Sequence, residues 1–337
     1  MDVKFLYTRR NFEHVFYYDI VYEWENIIAQ ICNLSLYYEA EEFQIYSRWS
    51  SRFFRRLYRH IPLLRPWLLP FQNGLKFEMY PWIWEPRINS EHIIPIIIDF
   101  FLTKEQLPAF FYSYHKAPIV LITSREAFEF ITNENNPYNI KFVHWPLSLA
   151  DKYKIGTDTI FEKKYDVALI GRQNVVLEKF FYKYVEKHPG LTYVYRKMES
   201  GEFNYYVVKH GEESFIGNIK NRDDYMSLMR NAKIGMYSTP DIDTDHKRSC
   251  GFNQVTPRFL ELIAAGVHII ARYCPNPDTE YYRLQDFSPS IENYEQFEKA
   301  MDYAMTHKVD MKKYANYLAQ HYTSVRAREL NLILKQQ

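Results

Sequence analysis

The sequence predicts an α/β protein of two Rossmann-like domains, each a mostly parallel sheet with helices on both faces, with a cleft between them. Three observations predict it. The 337 residues suit two domains of ordinary size. Apolar strand patterns alternate with helix-period patterns along the chain. The alternation breaks once, near 146–164, and then restarts. The expected division is residues 1–150, residues 151–310, and a closing helical segment, 311–337, that packs back on the first domain.

In the first half, KFLYT (4–8) reads as a strand, YDIVYEWENIIAQI (18–31) as an amphipathic helix and LSLYYEA (34–40) as a second strand. SRWSSRFFRRLYRHI (47–61) reads as a helix. HIIPIIIDFF (92–101) is an apolar run whose Pro95 suggests an edge or interrupted strand. APIVLITS (117–124) is a buried strand, followed by the helix REAFEFITN and the strand KFVHWP. In the second half, YDVALIGR (165–172) is a strand, VVLEKFFYKYVEKH its helix and LTYVYRK the next strand. Residues 225–232 read as a helix, 233–240 as a strand, 257–265 as a helix and 267–273 as a strand. Two amphipathic helices, the last from Met311, close the chain.

Net charge is +1, which does not point to nucleic acid. The three cysteines are scattered without metal-ligand spacing, as expected of a reducing compartment. MDVKFLYTRR has no signal-peptide pattern, and no stretch reaches the ~18 apolar residues of a spanning helix. The 30 Tyr and 24 Phe are read as core filling. The first 150 residues hold one glycine, Gly74, and neither G-x-G-x-x-G nor a P-loop. Nucleotide binding is therefore expected in the second half.

The stretch GFNQVTPRFLELIAAGVHIIARY (251–273) carries the site expectation. Thr256 suits an N-cap and Pro257 the first helical position. A helix start attracts phosphate, and Arg258 can add charge there. Glu261 lies one turn further in, within an otherwise apolar helix. A carboxylate at that point suits a ribose diol, or simply a solvated helix face. Lys247 and Arg248 precede the motif and suit either a departing diphosphate or open solvent.

These residues resemble the donor-binding half of GT-B glycosyltransferases of the group-1 type, over about residues 160–290. In that family an E-x7-E helix is followed by A-x-G and a strand. Glu261 with Ala264-Ala265-Gly266 matches the second half of the motif; the first glutamate falls at Asn253, a departure that leaves sugar identity and stereochemistry open. VALIGR (167–172) resembles the first strand and turn of the same domain, which implies that Gly171 and Arg172 approach the donor diphosphate. FIGNIKNRDDYMSLMRNAKIGMYSTP (215–240) resembles the segment before the acidic motif.

The resemblance implies a GT-B, metal-independent hexosyltransferase-like enzyme without a separate cofactor, using a nucleotide-diphosphate sugar. Its acceptor is expected to be a glycan or lipid-linked glycan in surface polysaccharide, lipopolysaccharide or capsule synthesis. If the transfer inverts configuration, a catalytic base is expected in the first half, with Asp99 at the end of an apolar strand the best-placed carboxylate; Glu13, His14, Asp19, His115 and His144 are alternatives. Arginines 48, 52, 55 and 59 stripe one side of helix 47–61, and LLRPWLLPF (63–71) adds apolar bulk. That pattern suits peripheral contact at 47–71 with the cytoplasmic face of a membrane, or an ordinary surface helix. Other readings are a non-catalytic scaffolding protein of the same fold, an NDP-sugar epimerase, and a metal-binding DxD at Asp241–Asp245.

Overall fold

The computed structural model describes residues 1–8, 18–38, 75–82, 90–199, 202–244 and 249–336. Arg9, Arg10, Glu13, His14, the 47–61 helix, the 63–71 segment, Gly74, Asp245, Lys247 and Arg248 lie outside the described residues. The chain divides into two compact units. The first comprises Met1–Thr123, Phe130–Pro146 and Thr323–Gln337; the second comprises Ser124–Glu129 and Leu147–Tyr322.

The first unit holds β1 (Val3–Thr8), α1 (Asp19–Cys32), β2 (Ser35–Tyr38), β3 (Leu75–Trp82), β4 (Ile93–Asp99), α2 (Leu107–Tyr114) and β5 (Val120–Ile122). Helix α3 (Arg125–Thr132) follows, with its first turn counted in the second unit, and then β6 (Phe142–His144). The sheet runs β2-β1-β3-β4-β5-β6 with every pairing parallel. Helix α1 buries Ile20, Trp24 and Ile28, one stripe at i, i+4 and i+8.

Sequence reading misses β3, whose polar Lys76 and Glu78 interrupt the apolar run. Pro95 stands in a strand with neighbours on both sides, not at an edge. It pairs with Glu78 of β3, whereas β5 meets β4 only at Ile96 and Ile97. The proline therefore sits beyond the end of the β5 ladder, where its missing N–H costs no bond on that side.

The second unit runs β7 (Tyr165–Leu169), α4 (Val175–Lys187), β8 (Tyr193–Glu199), β9 (Glu202–Lys209), β10 (Glu212–Asn218), α5 (Arg222–Arg230), β11 (Ala232–Ser238), α6 (Pro257–Ala264) and β12 (His268–Arg272). It continues with α7 (Pro277–Tyr281), α8 (Tyr294–Thr306) and α9 (Met311–Leu318). Its sheet order is β10-β9-β8-β7-β11-β12, parallel except for the antiparallel β8–β9–β10 extension. Val167, Leu169, Phe181, Met236, Ile270 and Phe297 pack its core. Strand β9 is missed although it holds the run Tyr205-Tyr206-Val207-Val208 and is largely half-buried, whereas β10, mostly exposed, shows in sequence only through the resemblance of 215–240. Their signal is the two-residue turn His210-Gly211, both at positive φ.

The closing segment is two helices, not one. Helix α9 packs on α6 in the second unit, and α10 (Thr323–Lys335) belongs to the first unit, against α1. There Trp145 Nε1 donates to Arg326 O at 3.1 Å and the Met1 ammonium to Leu334 O at 2.9 Å. Leu330 is fully buried. Replacing Leu330 with Ala is expected to destabilise the first unit by about 2–5 kcal/mol through cavity formation, measurable by urea denaturation.

Candidate functional site

Strand β7 has β8 on one side and β11 on the other, so strand order reverses between β7 and β11. Open α/β sheets bind ligands outside the carboxyl ends of strands at such a point. Just beyond β7, Gly171 adopts φ +78°, and a Cβ there would overlap the Arg258 guanidinium. Only glycine lets the arginine lie against this turn. Arg258 is the second residue of α6, and its Nη1 donates to Arg172 O at 3.5 Å. Among the described residues, its buried Nε and Nη2 have no hydrogen-bond partner.

A second guanidinium stands near. Arg196, half-buried on β8, lies over the Phe203 ring at 4.2 Å. Burial, and then the charge of Arg258, push its pKa below the ordinary value, against the opposing influence of Tyr205. Thr256 has extended backbone, and its side chain makes no capping hydrogen bond. Its N–H donates to Tyr237 Oη at 3.1 Å, and burial pushes that phenol up to about 12. Tyr237 therefore stays neutral and holds the start of α6 at the end of β11.

Glu261 is 4% exposed, and its Oε1 accepts Arg222 Nη2 at 2.6 Å. The carboxylate in the apolar helix is there for a buried arginine on α5. The sequence expectation set this carboxylate at a ribose diol; in the structure its Oε1 is engaged by Arg222.

Asp241 accepts the Ser249 N–H at 2.8 Å and shapes the loop leading to α6. Asp243, at φ +60°, takes Arg272 through Nε and Nη2 and also accepts from Asn174 Nδ2 at 2.9 Å. The hydrogen bonds from Arg272 hold its pKa low. The two carboxylates thus serve separate partners rather than facing one common point. Asn253 is engaged at both ends of its amide: Oδ1 accepts from Thr239 Oγ1 at 3.2 Å and Nδ2 donates to Gly251 O at 3.2 Å. Asp99 ends β4 in the first unit, half-buried.

Two carboxyl groups at this loop go unnoticed in sequence. Glu126, half-buried in the first turn of α3, accepts the Asn253 N–H on Oε2 at 2.8 Å. Burial first, and the charge of Asp278 second, push it up to about 7 against the Asn253 hydrogen bond. Asp278 is fully buried and accepts Ser124 Oγ at 2.8 Å, Arg125 N at 2.5 Å and Val255 N at 3.2 Å. Desolvation outweighs these bonds and raises it to about 6. The available signal was position: Ser124-Arg125-Glu126 follows directly on an apolar strand, where α/β ligands bind.

No protein-family model matches the sequence, and no curated protein matches it. Solved structures are similar in fold. The pneumococcal O-GlcNAc transferase GtfA, in complex with UDP and GlcNAc, aligns at TM-score 0.48 and 9% identity over 80% of this chain and 58% of that one. This chain thus spans less than two thirds of that enzyme. The UDP-forming trehalose-phosphate synthase of Burkholderia xenovorans aligns at TM-score 0.48 and 11% identity, over 93% and 82% of the two chains. Sucrose-phosphate synthase of Thermosynechococcus elongatus aligns at TM-score 0.46 and 10% identity, over 85% and 79%. All three alignments lie below a TM-score of 0.5; the architecture of two mostly parallel α/β sheets is read from the strand order itself. Among the described residues no helix is long and apolar enough to cross a membrane.

Two stability measurements check this geometry. Glu261→Ala strands the buried Arg222 charge and is expected to destabilise by about 3–5 kcal/mol, whereas the double replacement Arg222→Met, Glu261→Leu recovers most of that loss. The single variant should melt roughly 10 °C lower. The second concerns pH. A carboxyl whose folded pKa is raised adds stability that is complete below its unfolded pKa and is lost as pH rises through the folded value. For Glu126 the window runs from 4.5 to about 7, and for Asp278 from 3.8 to about 6. Glu126→Gln should flatten the decline in melting temperature above pH 6.

Proposed function

We propose that this chain is a glycosyltransferase that moves a sugar from a nucleotide-diphosphate sugar to a glycan or lipid-linked glycan acceptor. The observation that carries the reading is Arg258. Its guanidinium lies against Gly171 at the strand-order reversal, with buried donors Nε and Nη2 lacking a partner among the described residues. Buried donors on a cation are costly unless an anion meets them. Phosphate oxygens suit that fork, and the adjoining α6 start favours the same negative charge.

The diphosphate is assigned to Gly171, Arg172, Arg258 and the Thr256-Pro257 helix start; Lys247 and Arg248, outside the described residues, are candidates from sequence alone. Charge neutralisation by these groups makes the transfer metal-independent; Asp243, the natural metal ligand, is already taken by Arg272. The acceptor is assigned to the first unit, where Asp99 ends β4. The Arg-aromatic pattern of 47–71 supports peripheral contact with the cytoplasmic face of a membrane, in surface polysaccharide synthesis. A second reading, nucleotide binding without transfer, draws on Asn253, whose amide is engaged within its own loop. Turnover of a nucleotide sugar separates the two.

The test is a thermal-shift panel of UDP, GDP, CMP, dTDP and ADP on wild type and Arg258→Met. One nucleotide class is expected to raise the melting temperature by mass action. Loss of a charged hydrogen bond of about 1.5–3 kcal/mol weakens that binding roughly 10- to 100-fold in Arg258→Met. The unliganded variant should melt no lower than wild type, because a buried cation with open donors has been removed. If no nucleotide shifts wild type, the donor-site reading fails.

A further inference from the structure

The loop that leads into α6 carries a carboxyl group supplied from elsewhere in the sequence. Glu126 comes from the first turn of α3, and its Oε2 accepts the Asn253 N–H at 2.8 Å. Asn253 in turn receives Thr239 Oγ1 at 3.2 Å, and Thr239 immediately follows β11. The carboxyl therefore stands two hydrogen bonds from the strand end where the donor site is assigned. Asn253 cannot do acid–base chemistry, and both ends of its amide are already committed.

The neighbouring carboxyl has a different environment. Asp278 is fully buried and accepts from Ser124, Arg125 and Val255, the work of a fixed strut. Glu126 is half-buried and, among the described residues, accepts one hydrogen bond. Two acids whose environments differ in this way divide into a structural member and a proton-carrying member. Resting on the glycosyltransferase reading above, with transfer by direct, inverting displacement, we infer that Glu126 is the general base of the transfer and takes the proton of the attacking hydroxyl.

In that step the acceptor O–H proton passes to the Glu126 carboxylate while the acceptor oxygen bonds to the anomeric carbon. The bond from that carbon to the diphosphate oxygen breaks, and the nucleoside diphosphate leaves with the electron pair, its charge met by Arg258 and the α6 start. Burial and Asp278 hold Glu126 near neutrality, where a base is most effective. Among the described residues, the charge that acts on it is that of Asp278 on α7, while Arg125, its neighbour on the same helix, is paired to Glu129 at 2.6 Å.

The experiment uses the full chain with UDP-glucose, UDP-N-acetylglucosamine and GDP-mannose, water serving as acceptor, and reads nucleoside diphosphate release. Glu126→Gln keeps an acceptor for the Asn253 N–H, so its fold and nucleotide affinity should stay within about threefold of wild type while release falls about 10²- to 10⁴-fold. Wild-type release should decline as pH drops below about 7. That limb should vanish in Glu126→Gln, and formate should partly restore Glu126→Ala. Release by Glu126→Gln within a few-fold of wild type overturns the inference while leaving the donor reading intact. So does persistence of the limb in Glu126→Gln together with its loss in Asp99→Asn. A parallel fall in nucleotide affinity and melting temperature marks Glu126 as structural and overturns it too. If wild type neither binds a nucleoside diphosphate nor releases one, both readings fall.

Discussion

The carboxylate of Asp278 is the tie on which the site depends. It is removed from water, and it gathers a hydroxyl and a backbone N–H from Ser124-Arg125 together with the N–H of Val255. A buried anion is tolerable only when donors replace its lost hydration. Here the donors come from two segments more than a hundred residues apart in sequence. The penalty for leaving any of them unmet makes the contact specific. The start of α3 is held against the loop that enters α6, and Glu126 reaches Asn253 as a consequence.

Among the described residues, the carboxylates near the end of β11 each have a partner that determines what they can do. Asp243 is matched by Arg272 and Asn174, Asp241 by the loop N–H groups, and Glu261 by Arg222. These pairs shape the backbone. Arg258 and Glu126 differ: among the described residues the first has two buried donors without a partner, and burial pushes the carboxyl of the second up to about 7. A site built this way needs no cluster of like residues in sequence. It needs a scaffold of satisfied charges and two that are left for the ligand.

Much of the fold was legible because its sheets are buried on both faces. β4, β5, β7, β11 and β12 read as apolar runs, and the break near 146–164 marked where the second sheet begins. Polar-interrupted β3 and mostly exposed β10 give no continuous apolar signal, and the run Tyr205-Tyr206-Val207-Val208 of β9 was passed over because it falls between the recognised strand–helix repeats. In the candidate site, the glycine turn at Gly171 and the helix start at Thr256-Pro257-Arg258 are local features visible in sequence, and the structure sets Arg258 against Gly171. The pairing of Glu261 was not visible, because its partner lies 39 residues earlier, on another helix. Glu126 and Asp278 escaped for the same reason: their meaning comes from a contact that no spacing encodes.

The Arg222–Glu261 pair also accounts for the state of Arg258. Arg258 and Glu261 are three residues apart on α6, a spacing at which opposite charges on a helix normally meet. Arg222 takes the Glu261 carboxylate into the α5–α6 contact at 2.6 Å. Arg258 is then left without a local counter-ion among the described residues and folds back over the glycine turn. A buried ion pair adds little net stability over apolar packing, so its value here lies in what it withholds. By occupying the nearest carboxylate, Arg222 keeps a cation available at the strand-order reversal for an anion that is not part of the chain.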